Sequence, residues 1–228
     1  SGIFFPNSGL YGGFTNDGNA NNNNVYLNGG TVIGNIYGGY STIGGNANNN
    51  NITISGNPTL TNTTLYGGFA STGTTTGNTL TLDGFQGSVQ GLANFDRYNF
   101  LLLPSVVNGS TILTVANPTD ISNAQIGVGL SGKTLALQSG DRITLINNPG
   151  GLTAIGISSS ASGLQGVSLL YDFGLSTDAN NLYATVNSIQ VNPQTKAFSE
   201  SKLASLAFIN QGADLAVDQG MRYARIAA

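Results

Sequence analysis

Leu10-Tyr11-Gly12-Gly13-Phe14 returns as Ile36-Tyr37-Gly38-Gly39-Tyr40 and again as Leu65-Tyr66-Gly67-Gly68-Phe69. Between the first two copies lies Asn19-Ala20-Asn21-Asn22-Asn23-Asn24-Val25-Tyr26-Leu27, which returns as Asn46-Ala47-Asn48-Asn49-Asn50-Asn51-Ile52-Thr53-Ile54. A fainter third copy is Gly77-Asn78-Thr79-Leu80-Thr81-Leu82. The pentapeptide recurs after 26 and then 29 residues, a period typical of solenoid units.

Within each unit, short alternating stretches such as Ile52-Thr53-Ile54 are bounded by Gly and Asn. Alternation over a few residues, with turn formers on both sides, is strand chemistry. One such coil cannot bury its apolar row alone, but the next coil stacked on it can. The expected column is Leu10, Ile36 and Leu65, and equivalent Asn residues are expected to form hydrogen-bonded ladders along the stack. The fold class that follows is all-β: a parallel β-helix with a C-terminal β-rich cap and one C-terminal α-helix.

Beyond about Leu92 the repeat stops and longer strand-like runs appear. Tyr98-Asn99-Phe100-Leu101-Leu102-Leu103 ends at Pro104, and Asp141-Arg142-Ile143-Thr144-Leu145-Ile146 ends at Asn147-Asn148-Pro149. A solenoid needs an element that hides its last open coil, so residues 93–192 are read as a capping region after the repeats of 1–92. From Asn192-Pro193 the period changes, with Asn as N-cap and Pro at the first helical turn. The spacing predicts a helix from Pro193 to about Arg225. Leu203, Leu206, Val217 and Met221 fall on one side and Phe208 and Leu215 on another. A helix apolar on two sides is expected to need a partner to be fully ordered. These six residues are candidate contacts for that partner.

Composition narrows the function. Charged residues make up only 7% of 228, with 33 Gly and a net charge of −3. The seven basic residues are scattered between Arg97 and Arg225, so no basic patch for nucleic acid exists in the sequence. Cys and His are both absent, which removes the thiol nucleophile, the disulfide, the commonest general base and the commonest metal ligand. The neutral Asn, Ser and Thr surface suits a chain that lives outside cells, and it leaves little charge to oppose self-association.

Several motifs invite a sharper reading. Gly127-Val128-Gly129-Leu130-Ser131-Gly132-Lys133-Thr134 matches the phosphate-binding loop letter for letter, but such a loop must open a helix aimed at the phosphates. Here Thr134-Leu135-Ala136-Leu137 alternates and then breaks at Ser139-Gly140, so no nucleotide or other cofactor is expected. Asp172-Phe173-Gly174 copies a kinase triplet without the rest of a kinase. The repeats hold only Asp17 and Asp83 as carboxylates for a glycosidase pair, so no catalytic residue and no metal site are assigned. Tyr11, Tyr37 and Tyr66 remain. If Leu10, Ile36 and Leu65 face inward, alternation turns these tyrosines outward. They form either a ladder for sugars or a partner surface, or a self-stacking column that stabilises the rungs.

The YGGF/YGGY rungs with their Asn runs resemble bacterial autotransporter passengers, the exported parts of type V secretion proteins. So do Asn99-Phe100-Leu101-Leu102-Leu103-Pro104, Gly109-Ser110-Thr111-Ile112-Leu113-Thr114-Val115 and Gly140-Asp141-Arg142-Ile143-Thr144-Leu145. Most specific is Asn192-Pro193-Gln194-Thr195-Lys196-Ala197-Phe198-Ser199-Glu200 through Leu206-Ala207-Phe208-Ile209-Asn210-Gln211-Gly212-Ala213-Asp214, which resembles the segment joining passenger to barrel. The resemblance implies a β-helical stem, an autochaperone-like region at 93–192, and a linker helix at 193–228. It also implies a translocator barrel beyond Ala228 as a partner, and export through the outer membrane to the bacterial cell surface. The expected function is a non-enzymatic, adhesive surface stem meeting a glycan or host-surface ligand. The alternative is a homo-oligomeric filament of stacked β-helices, and an enzyme acting on polysaccharides is the third class. The Asn-Asn pair at which some autotransporters are cut is missing from this helix.

Overall fold

The computed structural model describes residues 9–132, 135–159, 169–192 and 201–202. Its strands are β1 (Leu10–Tyr11), β2 (Phe14–Asp17), β3 (Asn24–Asn28), β4 (Ile36–Gly44), β5 (Asn51–Ser55) and β6 (Leu60–Ala70). They continue as β7 (Thr79–Asp83), β8 (Gly87–Ala93), β9 (Arg97–Leu102), β10 (Thr111–Val115), β11 (Thr119–Asp120) and β12 (Gln125–Leu130). The last are β13 (Arg142–Asn147), β14 (Leu152–Thr153), β15 (Ser158–Ser159), β16 (Leu169–Thr177) and β17 (Asn181–Val191).

The chain alternates between two sheets. One runs β1-β4-β6-β8-β10-β13-β17-β16, with β2 also on β4, and the other runs β3-β5-β7-β9-β12-β15. A short pair, β11-β14, forms a third side. Every pairing from one coil to the next is parallel up to β13 and β15. This is the expected parallel β-helix. Register puts like on like: Leu10, Ile36, Leu65 and Leu92 form one column. Val25, Ile52, Leu80, Tyr98 and Ile126 form another. Ile36, Ile52 and Leu65 are fully buried. One continuous apolar cluster runs from Val25 to Val186, and each buried aliphatic side chain contributes about 2 kcal/mol.

The coil stack crosses Leu92 without interruption, although the letters of the repeat do not. β9 pairs with β12 in a six-residue parallel register from Arg97↔Gln125 to Leu102↔Leu130, and β10 pairs with β13. A coil needs inward alternation of apolar side chains, which Tyr98, Phe100 and Leu102 supply as well as Ile52 and Ile54 do. Residues 93–192 therefore hold two kinds of structure. Coils continue to β15, and an antiparallel hairpin of β17 and β16 then covers the open edge of β13. The helix expected after Pro193 lies outside the described residues, apart from Ser201 and Lys202. All six of its candidate contacts, Leu203, Leu206, Phe208, Leu215, Val217 and Met221, lie outside them too.

Candidate functional site: the ring face and the asparagine row behind it

Tyr11, Tyr37 and Tyr66 are in register and point outward. Their rings stack at 5.2 and 4.7 Å, tilted by no more than 12°. A second column stands beside them. Phe14, Tyr40 and Phe69 stack at 5.7 and 4.7 Å, and the columns meet edge to face, as between Tyr37 and Tyr40 at 4.9 Å. Edge-to-face and stacked pairs each add about 1 kcal/mol beyond burial.

Strict alternation would send a residue three positions after an outward tyrosine into the core. The two glycines prevent this: Gly38 and Gly39 are both buried while Tyr37 and Tyr40 both face out, so the facing pattern shifts by one residue there while the register to the next coil is kept. The space at the glycines is taken by backbone and by asparagine. A Cβ on Gly38 would lie 2.3 Å from the Gly67 carbonyl oxygen and 2.7 Å from Asn50 Cβ. On Gly39 it would lie 2.0 Å from the Ala20 carbonyl oxygen. The same collisions recur one coil on at Gly67 and Gly68, which explains why the pair is repeated with the rings.

Behind the glycines runs a row of amides. Asn50 Oδ1 accepts from the Asn23 backbone N–H and from Asn23 Nδ2, both at 2.9 Å. Asn78 Oδ1 accepts from Asn50 N at 2.8 Å and from Asn50 Nδ2 at 3.2 Å. Asn78 Nδ2 ends the row on the carbonyls of Ala47 and Thr75. Asn50 and Asn78 are fully buried, and buried amides persist only when bonded in this way. Two outer rows repeat the device. Asn19 Oδ1 receives Asn46 N, and Asn46 Oδ1 receives Thr74 N. Asn21 Oδ1 receives Asn48 N, and Asn48 Oδ1 receives Thr76 N.

Stacking also settles what the ring face has to offer. A sugar binds aromatic residues by lying on a ring face, but the inner faces here are covered by the next ring. Outward, the columns present edges and hydroxyls, and at the first coil the outer faces of Tyr11 and Phe14, which are 38% and 55% exposed. Burial raises the pKa of Tyr37 despite the bond that its hydroxyl accepts from Asn35 Nδ2 at 3.2 Å. That hydroxyl stays a neutral phenol.

The other sequence motifs fall elsewhere. Gly127, Val128, Gly129 and Leu130 are not a loop: they lie within β12, paired to β9 from Gly127↔Asn99 to Leu130↔Leu102. Lys133 and Thr134 lie outside the described residues. Asp172, Phe173 and Gly174 are mid-strand in β16. Asp17 ends β2 and Asp83 ends β7, in different sheets. Among the described residues no group of three acidic, His or Cys side chains could hold a metal ion. An open depression of about 480 Å³ lies between Pro118–Asp120, Gly150–Thr153 and Ala179. Its one ionisable side chain is Asp120, whose pKa is lowered by hydrogen bonds from Ser122.

No known protein family, curated protein or solved structure matches this chain.

Proposed function

We propose that the chain is a non-enzymatic extracellular protein, the stem of an autotransporter passenger displayed on the bacterial outer membrane and adhesive there. One observation carries the reading: among the described residues, a uniform parallel stack is followed on its C-terminal side by an antiparallel hairpin that covers its last strand in one sheet. A stem exported C-terminal end first would fold onto such a cap, each coil using the previous edge as its template. Its own translocator barrel is the partner this reading requires. The neutral outer rows of Asn and Thr suit a surface that meets a glycan or a host surface, and no nucleic acid is expected. Fusing the chain ahead of a translocator barrel in a Gram-negative host tests the proposal. Display is expected, seen as cleavage by protease added to intact cells. Retention inside the outer membrane, with a control passenger displayed, would refute it.

A second reading, an extracellular filament subunit, is favoured by a different observation. β17 is antiparallel to β13 and β16 is antiparallel to β17, so the outermost strand runs in the same direction as the coils. Among the described residues β16 is the last strand of that sheet, and it keeps the polarity of the coils.

A further inference from the structure

We propose that Asn28 is a self-modification site, where the Gly29 nitrogen closes onto the Asn28 side chain and the carboxamide becomes a carboxylate. Such a step needs a backbone nitrogen that is not already hydrogen-bonded, next to a side-chain carbonyl carbon free to turn toward it. Glycine supplies the best nitrogen, because no Cβ stands beside it. Glycine follows asparagine or aspartate at four points of the chain: Asp17-Gly18, Asn28-Gly29, Asp83-Gly84 and Asn108-Gly109.

The stack commits three of these nitrogens. Gly18 donates its N–H to the Gly44 carbonyl at 2.8 Å, Gly84 to that of Leu101 at 2.9 Å and Gly109 to that of Arg142 at 2.8 Å. Asn108 is held by its side chain as well, since its Oδ1 accepts from the Arg142 N–H at 2.9 Å. Both reacting groups of that pair are therefore fixed on one residue of the next coil. Asn28-Gly29 is different. Among the described residues, no hydrogen bond holds the Asn28 carboxamide or the Gly29 N–H. Asn28, Gly29 and Gly30 are all exposed. The two glycines turn at φ +101° and +85°, and a Cβ added to either would meet nothing within 4 Å. The turn has room to bring nitrogen and carbonyl carbon together.

The step balances with water as its only co-reactant. The Gly29 nitrogen gives its proton to solvent and bonds to Asn28 Cγ. The Cγ–Nδ2 bond then breaks and ammonia leaves, so a five-membered imide joins the two residues. Water opens the ring at either carbonyl. Breaking the bond to Cγ gives an ordinary aspartate, and breaking the bond to the main-chain carbon gives an aspartate linked through its side chain.

The position limits the damage and fixes the effect. Asn28 is the last residue of β3, so the extra main-chain carbon of the second product falls at the Gly29-Gly30 turn, beyond the inward Val25. Either product adds one carboxylate, ionised at neutral pH, to a chain of net charge −3. Asn28, Ser55 and Asp83 are in register, so the new charge stands two strand spacings, about 10 Å, from Asp83.

The test incubates the full chain at mildly alkaline pH, folded and in urea, with circular dichroism confirming each state. Peptic digestion in acid and mass spectrometry then follow Asn28 and Asn108 separately. In the folded chain Asn28 is expected to convert with release of ammonia. Asn108 must first break two hydrogen bonds, which makes it about thirtyfold slower. In urea the two are expected to convert at similar rates. Asn28→Gln, which would have to close a six-membered ring, is expected to lose the fast conversion and keep the fold. If Asn28 and Asn108 convert equally fast in the folded chain, or if Asn28 keeps its amide there while both convert in urea, the proposal is overturned.

Discussion

Replacing Asn50 with alanine removes three hydrogen bonds from the interior of the stack: two accepted from Asn23 and one donated to Asn78. The bond from the Asn50 backbone N–H to Asn78 Oδ1 survives. At a net value of about 1 kcal/mol each, the loss is about 3 kcal/mol. The neighbouring Asn51 is exposed and makes one surface bond, from its Nδ2 to Asn24 Oδ1 at 3.0 Å. Its replacement by alanine should cost no more than about 0.5 kcal/mol. For a chain of this size, 3 kcal/mol is a fall in Tm of roughly 6–12 °C. A solenoid unfolds partly coil by coil, so hydrogen exchange is the better assay. In Asn50→Ala the amides of β3, β5 and β7 should exchange faster, while those of β13 and β17 keep their rates. If Asn50→Ala and Asn51→Ala are equally stable, or if exchange rises evenly along the stack, the amide row is not what fixes these coils.

Three further outcomes are expected. Gly39→Ala places a Cβ 2.0 Å from the Ala20 carbonyl oxygen, a backbone atom that cannot rotate aside, so in urea unfolding it should cost more than Asn50→Ala. Asp178 accepts from the N–H groups of Asn180 and Asn181 at 2.9 and 2.7 Å and from the Tyr183 hydroxyl at 2.9 Å. The Asn180 bond leads in lowering its pKa below the ordinary 3.8, followed by the Tyr183 bond. Its contribution is therefore complete above that value and is lost as pH falls toward the lower folded value; Asp178→Asn should flatten that part of the stability curve relative to wild type. Because Gly127–Leu130 spend their backbone groups on strand pairing, titration with ATP and magnesium should give no binding heat, and a micromolar affinity would contradict the strand assignment.

Most of the coil architecture could be read from the letters because its determinants are local and repeated. Leu10, Ile36 and Leu65 recur after 26 and 29 residues, and only stacking satisfies them. The continuation past Leu92 was hidden because Tyr98, Phe100 and Leu102 keep the inward alternation while abandoning the Asn and Gly that marked earlier coils. Phe14, Tyr40 and Phe69 were hidden for a different reason. Period-two reasoning turns them inward, and it fails at the Gly-Gly step, where two successive residues are buried. The signal was present in the pentapeptide, since two glycines between two aromatic residues are hard to explain on a regular strand. The hairpin's direction could not be read, because antiparallel and parallel strands share the same alternation.

The amide row also has a sense. Asn23 gives its Nδ2 to Asn50, and Asn50 gives its own to Asn78, so the side-chain dipoles point one way along the axis and polarise one another. A coil added to such a row meets a partner already polarised by those beneath it, and it gains more than the first coil gained. Loss of a middle rung splits the row into two weaker dipoles, whereas loss of an end rung only shortens it. Thermal fraying should thus start at the end rungs of the row, and its interior should stay shut until that front reaches it.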